Sequence, residues 1–258
     1  MDMWVSIPMR LMTLLVLAAV PLACGAQSGS LSLGQIVTRM ERVGAVERNR
    51  EPAYTVTRRY QLSAEGASEP SAEVVAQVTF LPPSQKDYAI VNSQGSDRGE
   101  KIVRKVLAHE ASMAGDWQPH AITSANYDFA LLGREMLGGH DCYVLQLSPK
   151  REAVELVRGK AWVDARTFEM LRVQGETAKS PSFWLKKVNI TIDFGQVNGV
   201  WLETSTQAVA DVRFAGTHVL SAKELDVRPA TESARARKPH ATAGNSESLE
   251  ADTAAWVH

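Results

Sequence analysis

FWLKKVNITIDFGQVNGVWLETSTQAVADVRFAGTHVLSAKELDV, residues 183–227, decides the fold. It holds three strand-like runs, Phe183 to Phe194, Val200 to Asp211 and His218 to Val227. Asn198-Gly199 between the first two is a two-residue hairpin signal, because both turn positions need positive φ. Upstream the pattern repeats. Tyr127 to Leu132 and Asp141 to Leu147 flank Leu137-Gly138-Gly139-His140, and Val157 to Val163 and Phe168 to Gln174 flank Asp164-Ala165-Arg166-Thr167. Long neighbouring antiparallel strands joined by tight turns imply one strongly curved sheet.

Nearer the N-terminus the period is two again. Tyr54, Val56, Tyr60 and Leu62 alternate with Thr55, Thr57, Arg59 and Gln61, and Val74, Ala76, Val78 and Phe80 alternate with Glu73, Gln77 and Thr79. This spells a strand pair with one buried face. Asp87 to Asn92 offers a third strand after the Pro82-Pro83 break.

Two stretches carry helical spacing instead. Leu33, Ile36, Val37, Met40 and Val43 line one face of a helix from Ser32 to about Arg48, with Ser32 as cap, Gln35 as its capping-box partner and Leu31 stapled onto Ile36. Asp97 opens a second helix with Glu100 as its partner; Ile102, Val103, Val106 and Leu107 form its stripe, and it runs to about Glu110. Two helices among many strands give an α+β class.

The ends differ in character. Arg10, the apolar run Leu11 to Leu22 and the small residues Ala23 to Ala26 describe a secretory signal peptide, 1–26. A membrane-spanning helix needs roughly 20 apolar residues, and this run is shorter. Cys24 raises lipoprotein processing, but Pro21 fits that pattern poorly, so plain cleavage near Ala26 is favoured. Export from the cytoplasm follows. Residues 229–258 hold almost no large apolar side chain before Trp256 and read as a disordered polar tail.

Composition narrows the function. With a formal net charge of -1 there is no basic excess, so nucleic acid is excluded as a partner. After cleavage Cys142 is the only cysteine left, and no internal disulfide can form. No two of the six histidines sit at metal spacing. No Gly-rich phosphate loop or Gly-x-Ser-x-Gly motif is present, and acids such as Asp164 and Glu203 have no evident partner in sequence. His140-Asp141-Cys142 resembles a reactive cluster, but hairpin residues beside a small strand hydrophobe explain it better. The expectation is a monomeric protein that is not an enzyme, with no catalytic residue, metal or cofactor.

Tyr127-Asp128-Phe129-Ala130-Leu131-Leu132-Gly133, then Gly139 to Leu145, resembles the mid-chain strand pair of the LolA/LolB-like superfamily. Gly159-Lys160-Ala161-Trp162-Val163-Asp164 with Phe168 to Val173 is similar to a hairpin recurring across that superfamily. Pro181 to Trp184 and Val200 to Leu202 look like the outer membrane lipoprotein-sorting protein branch. The resemblance spans roughly Leu31 to Val227, the domain 31–228, and leaves the tail unmatched. It implies an unclosed β-barrel, a strongly curved antiparallel sheet with helices covering its hydrophobic concave face. It also implies a periplasmic carrier that shelters acyl chains of lipoproteins or lipids, with inner- or outer-membrane partner proteins. An RseB-like sensor of lipoproteins acting on a regulatory partner is the alternative, and a hydrolase using Cys142 ranks below both.

Strand alternation nominates Tyr54, Tyr60, Val78, Phe80, Trp162, Trp184, Ile190, Ile192 and Trp201 as the ligand-binding side chains. Alternation does not say which face is concave, and a one-residue slip would invert the choice.

Overall fold

A computed structural model describes residues 31–183 and 185–230. The signal peptide, all of the polar tail beyond Ala230 and Trp184 lie outside the described residues. Helix α1 spans Leu33–Arg50 and α2 spans Asp97–Met113. The strands are β1 (Tyr54–Ala64), β2 (Ala72–Leu81), β3 (Gln85–Gly95), β4 (Tyr127–Leu137), β5 (His140–Pro149), β6 (Val157–Asp164), β7 (Met170–Thr177), β8 (Leu185–Val197), β9 (Val200–Val212) and β10 (Gly216–Pro229). Pro229, assigned to the tail above, thus ends the last strand, and Ala230 donates its N–H to the Ala53 carbonyl at 3.0 Å.

All ten strands form one sheet, ordered β3-β2-β1-β10-β9-β8-β7-β6-β5-β4, with antiparallel neighbours. Most of the order is a meander fixed by hairpins. Gly138 and Gly139 at φ 57° and 88°, and Asn198 and Gly199 at φ 50° and 83°, supply the left-handed positions of two of them. The exception is β10, which returns to pair with β1 from Tyr54↔Pro229 to Ala64↔His218. The free edges are therefore β3 and β4, consecutive in sequence and joined through α2. The sheet stays unclosed, as the resemblance implies.

Helix α1 begins as expected: Ser32 and Gln35 exchange both capping-box hydrogen bonds. Helix α2 does not. Its cap is Ser96, one residue before Asp97, and the Ser96 hydroxyl accepts the Gly99 N–H at 3.2 Å. Gly99 lies against β2, where an added Cβ would stand 2.1 Å from the Ala72 Cβ. Strand β8 also starts later than expected, at Leu185; Phe183 precedes it, and the Leu185 N–H instead closes a turn on the Ser182 carbonyl.

One close approach in the sheet depends on missing side chains. Gly159 and Gly175 face each other across β6 and β7. A Cβ on Gly159 would sit 2.0 Å from the Gln174 carbonyl oxygen, and one on Gly175 would sit 2.3 Å from that of Arg158. Only glycine fits, and paired glycines let the sheet bend there. Register breaks at Thr57/Arg58 and Asp193/Phe194 add bends elsewhere.

Gly159→Ala should therefore lower unfolding stability by about 3 kcal/mol, since the obstructing atoms are backbone and cannot step aside. Gly44→Ala, in open space on α1, should raise it slightly. Denaturant unfolding of both variants checks this, and an unchanged midpoint for Gly159→Ala would refute the bend.

Candidate functional site

Pairing carries one face across every strand. Ser93, Val74, Tyr60, Ala222, Thr206, Ile192, Val173, Ala161, Leu145 and Leu131 are successive partners. A second rung runs through Leu62, Leu220, Ala208, Ile190, Gly175, Gly159 and Leu147. Directly paired residues share a face, so both rungs lie on the side that α2 covers, where Val103 and Leu107 pack among Tyr60, Val74 and Val78.

Burial along this face is uneven. Toward β1 and β2 the α2 side chains fill it, and Tyr60 and Leu107 are each only 1% exposed. Toward β5 to β7, Leu147, Leu156, Ala161 and Val173 form a second packed cluster with Tyr127. Between the clusters Ile190, Ile192, Thr206, Ala208 and Leu220 remain half-buried. With Thr206 the exception, they form a half-buried apolar strip across β8 to β10. A separate depression of about 450 Å³, lined by Ala53, Leu81, Pro82 and Gln85, adjoins the Tyr54 and Phe80 end.

Six nominated residues share the covered face. Tyr54, Tyr60, Val78 and Phe80 belong to the cluster under α2, with the Tyr54 and Phe80 rings 5.6 Å apart; Ile190 and Ile192 lie in the half-buried strip. Trp162 pairs with Val144, one residue out of phase with Ala161, so it packs on the opposite face with Cys142 and Val144 and donates Nε1–H to Glu135 at 3.0 Å. Trp201 is half-buried between Val200 and Leu202, which join the α2 cluster, and pairs with Gln196 beyond the register shift at Asp193/Phe194. Trp184 lies outside the described residues.

Alternation was read without Arg58, yet Arg58 shares the phase of Val56 and Tyr60. It is buried beneath α2. Its Nη1 lies 3.5 Å from Glu110 Oε2 at the far end of α2 and 3.8 Å from Glu203 Oε1 on β9, and its Nη2 donates to the Glu203 carbonyl at 3.1 Å. Lys86 approaches Glu110 at 4.0 Å, and Glu224 faces Arg58 across the β1–β10 pairing. Glu203, partnerless in sequence, thus has its partner in space. Burial alone would lower the Arg58 pKa, but the Glu203 and Glu110 carboxylates outweigh it and hold the guanidinium charged. Glu110 itself is pushed up, burial exceeding the help it receives from Arg58. A charged residue in the core phase of a strand, beside the tandem Arg58-Arg59, was the available signal.

Asp164 has its own partner: His140 Nδ1 stands 2.7 Å from Asp164 Oδ2, while the Arg166 and Thr167 N–H groups donate to Oδ1. Burial pushes the Asp164 pKa up, but these donors together hold it below the usual carboxylate range. This is hairpin chemistry. The neighbouring Cys142 is fully buried, and burial, reinforced by the charges of Asp164 and Asp141, raises its thiol pKa. A nucleophile needs the opposite. Among the described residues, no group of three or more His, Cys, Asp or Glu is placed to hold a metal ion, and no helix is long and apolar enough to cross a membrane.

A family model described as "Uncharacterized protein" matches residues 84–230, more than half of the chain, and the chain belongs to that family. No curated protein matches the sequence. Among solved structures it is similar to a putative outer membrane lipoprotein-sorting protein domain from Vibrio parahaemolyticus, at 13% identity over 72% of this chain and 90% of that one, TM-score 0.41. It is similar to a LolA superfamily protein from Nitrosomonas europaea, at 14% identity over 79% and 97%, TM-score 0.36. It is also similar to a DUF1329 family protein from Desulfovibrio piger, at 14% identity over 75% and 90%, TM-score 0.36.

Glu110 gives a pH signature. A carboxyl whose folded pKa is raised binds its proton more tightly folded than unfolded, so its contribution is fully present below the unfolded value and is lost as pH rises through the folded one. Glu110→Gln removes that titration. The stability of Glu110→Gln relative to wild type should climb with pH from mildly acid to neutral, read by denaturant unfolding at a series of pH values; a pH-independent difference would show that Glu110 titrates normally.

Proposed function

We propose that the chain is an exported, periplasmic carrier or binder that shelters acyl chains, of a lipoprotein or a lipid, on the covered face of its sheet, with α2 as the element that moves. The half-buried strip carries this reading: Ile190, Ile192, Ala208 and Leu220 sit on one sheet face between two packed clusters. It is continuous along the sheet with the face under α2, so a chain lying in it could extend beneath that helix. The segment Leu11 to Leu22 supports export, and the reactive-looking Cys142 is buried, with its thiol pKa pushed up rather than down.

Magnitudes allow the exchange. Lifting α2 exposes Val103 and Leu107 at about 1.5–3 kcal/mol each, whereas each methylene entering contributes about 0.8 kcal/mol, so about four to eight methylenes offset the loss. An ordinary fatty acyl chain is long enough. No catalytic group is required, and Tyr54, Tyr60, Val78, Phe80, Ile190 and Ile192 are the contacts proposed.

Native periplasmic extraction followed by mass spectrometry of bound lipid tests the reading; recovery of an acyl-chain ligand is expected, and an empty protein would contradict it. A membrane-anchored regulator co-purifying without lipid would favour the sensor alternative. Ile192→Asp should weaken binding of an apolar fluorescent probe about tenfold or more, since a carboxylate in the apolar strip is costly to desolvate, while the thermal midpoint changes little because Ile192 is half-buried. Loss of stability with unchanged probe binding would mark Ile192 as plain core.

A further inference from the structure

The end of the sheet where β8 begins and β9 turns into β10 presents two large aromatic side chains to solvent. Phe183 is 71% exposed and Phe214 is 88% exposed. Phe214 occupies the tip of the β9–β10 hairpin at φ 66°, a left-handed conformation that a bulky residue rarely adopts. Turn residues such as Asn or Gly would sit there without strain. Arg213, between the strand and the tip, lies over the Phe183 ring at 4.5 Å, which ties both aromatics to one cationic group. Lys186 and Lys187 follow at the start of β8, paired to Asp211 at 3.4 Å and Glu176 at 3.5 Å.

We propose that this tip, Phe183, Arg213 and Phe214, is a contact site for a lipid surface. Aromatic rings flanked by cations suit the boundary between headgroups and acyl chains, where rings enter the apolar side and cations meet phosphates. The area argues against a protein partner: two such rings offer on the order of 300 Å², below the roughly 500 Å² per side that a specific protein interface should clear. A bilayer needs no matching shape. Because Lys186 and Lys187 are offset by local acids, the contact is driven by the rings more than by charge, and it is weak and reversible. It would hold whatever the covered face carries.

Co-sedimentation with vesicles of equal parts phosphatidylcholine and phosphatidylglycerol tests this, comparing wild type with Phe214→Asp and Phe183→Asp in the same full chain. Any other apolar segment is common to all variants, so only their difference is read. Each substitution should lower partitioning about tenfold, the order expected for withdrawing one ring from an apolar phase. Phe214→Asn should lower it as well while leaving the thermal midpoint unchanged or higher, which separates lost contact from lost fold. Equal sedimentation of all four proteins would overturn the proposal, as would a loss that appears only in variants melting early.

Discussion

The pairing of β10 with β1 is the constraint on which the rest of the molecule depends. Every other neighbour relation is either a hairpin or a local return, but this one joins strands more than 150 residues apart, from Tyr54↔Pro229 to Ala64↔His218. It places β2 and β3 on one flank of the meander and leaves β3 and β4 as the edges. Because the chain between those edges contains α2, the helix covering the β1–β2 face is attached at both ends to the margins of the opening. Such non-local pairing is slow to form and, once formed, organises many residues at once.

The two halves of the sheet differ in how they are held. Around β5 and β6 burial reaches both faces: Leu145, Leu147, Ala161 and Val163 are wholly buried, as is Cys142 opposite. Around β1 and β2 the apolar face is closed by one helix, whose contributions are Val103, Leu107 and the Glu110 carboxylate on Arg58. A buried guanidinium adds little net stability, yet stranding it without a partner is costly. Arg58 keeps Glu203 and its carbonyl when α2 leaves, so the helix can depart without orphaning the charge.

Much of this architecture was legible in the residues. Period-two alternation located the strands, and Gly138-Gly139 and Asn198-Gly199 located hairpins, because these signals are local. What was not legible depends on contacts distant in sequence. Which way Trp162 points follows from the Val144–Trp162 pairing, not from the composition of its strand. Arg58 stands in the phase of Val56 and Tyr60, but nothing local shows that β9 and α2 bring Glu203 and Glu110 to it. Phe183 carries strong strand propensity, but the turn on Ser182 delays the strand by two residues and leaves its ring outside. Cys142 was read correctly as a small strand hydrophobe, since its alternation with Tyr143 sufficed.

The central claim is that α2 covers the apolar face and is displaced when an acyl chain occupies it. Hydrogen exchange of the α2 amides, with and without a bound fatty acyl ligand, measures that directly. Faster exchange along Val103 to Glu110 in the liganded protein, with β5 and β6 unchanged, is the predicted result. Equal or slower exchange of α2 when the ligand is demonstrably bound would contradict the account.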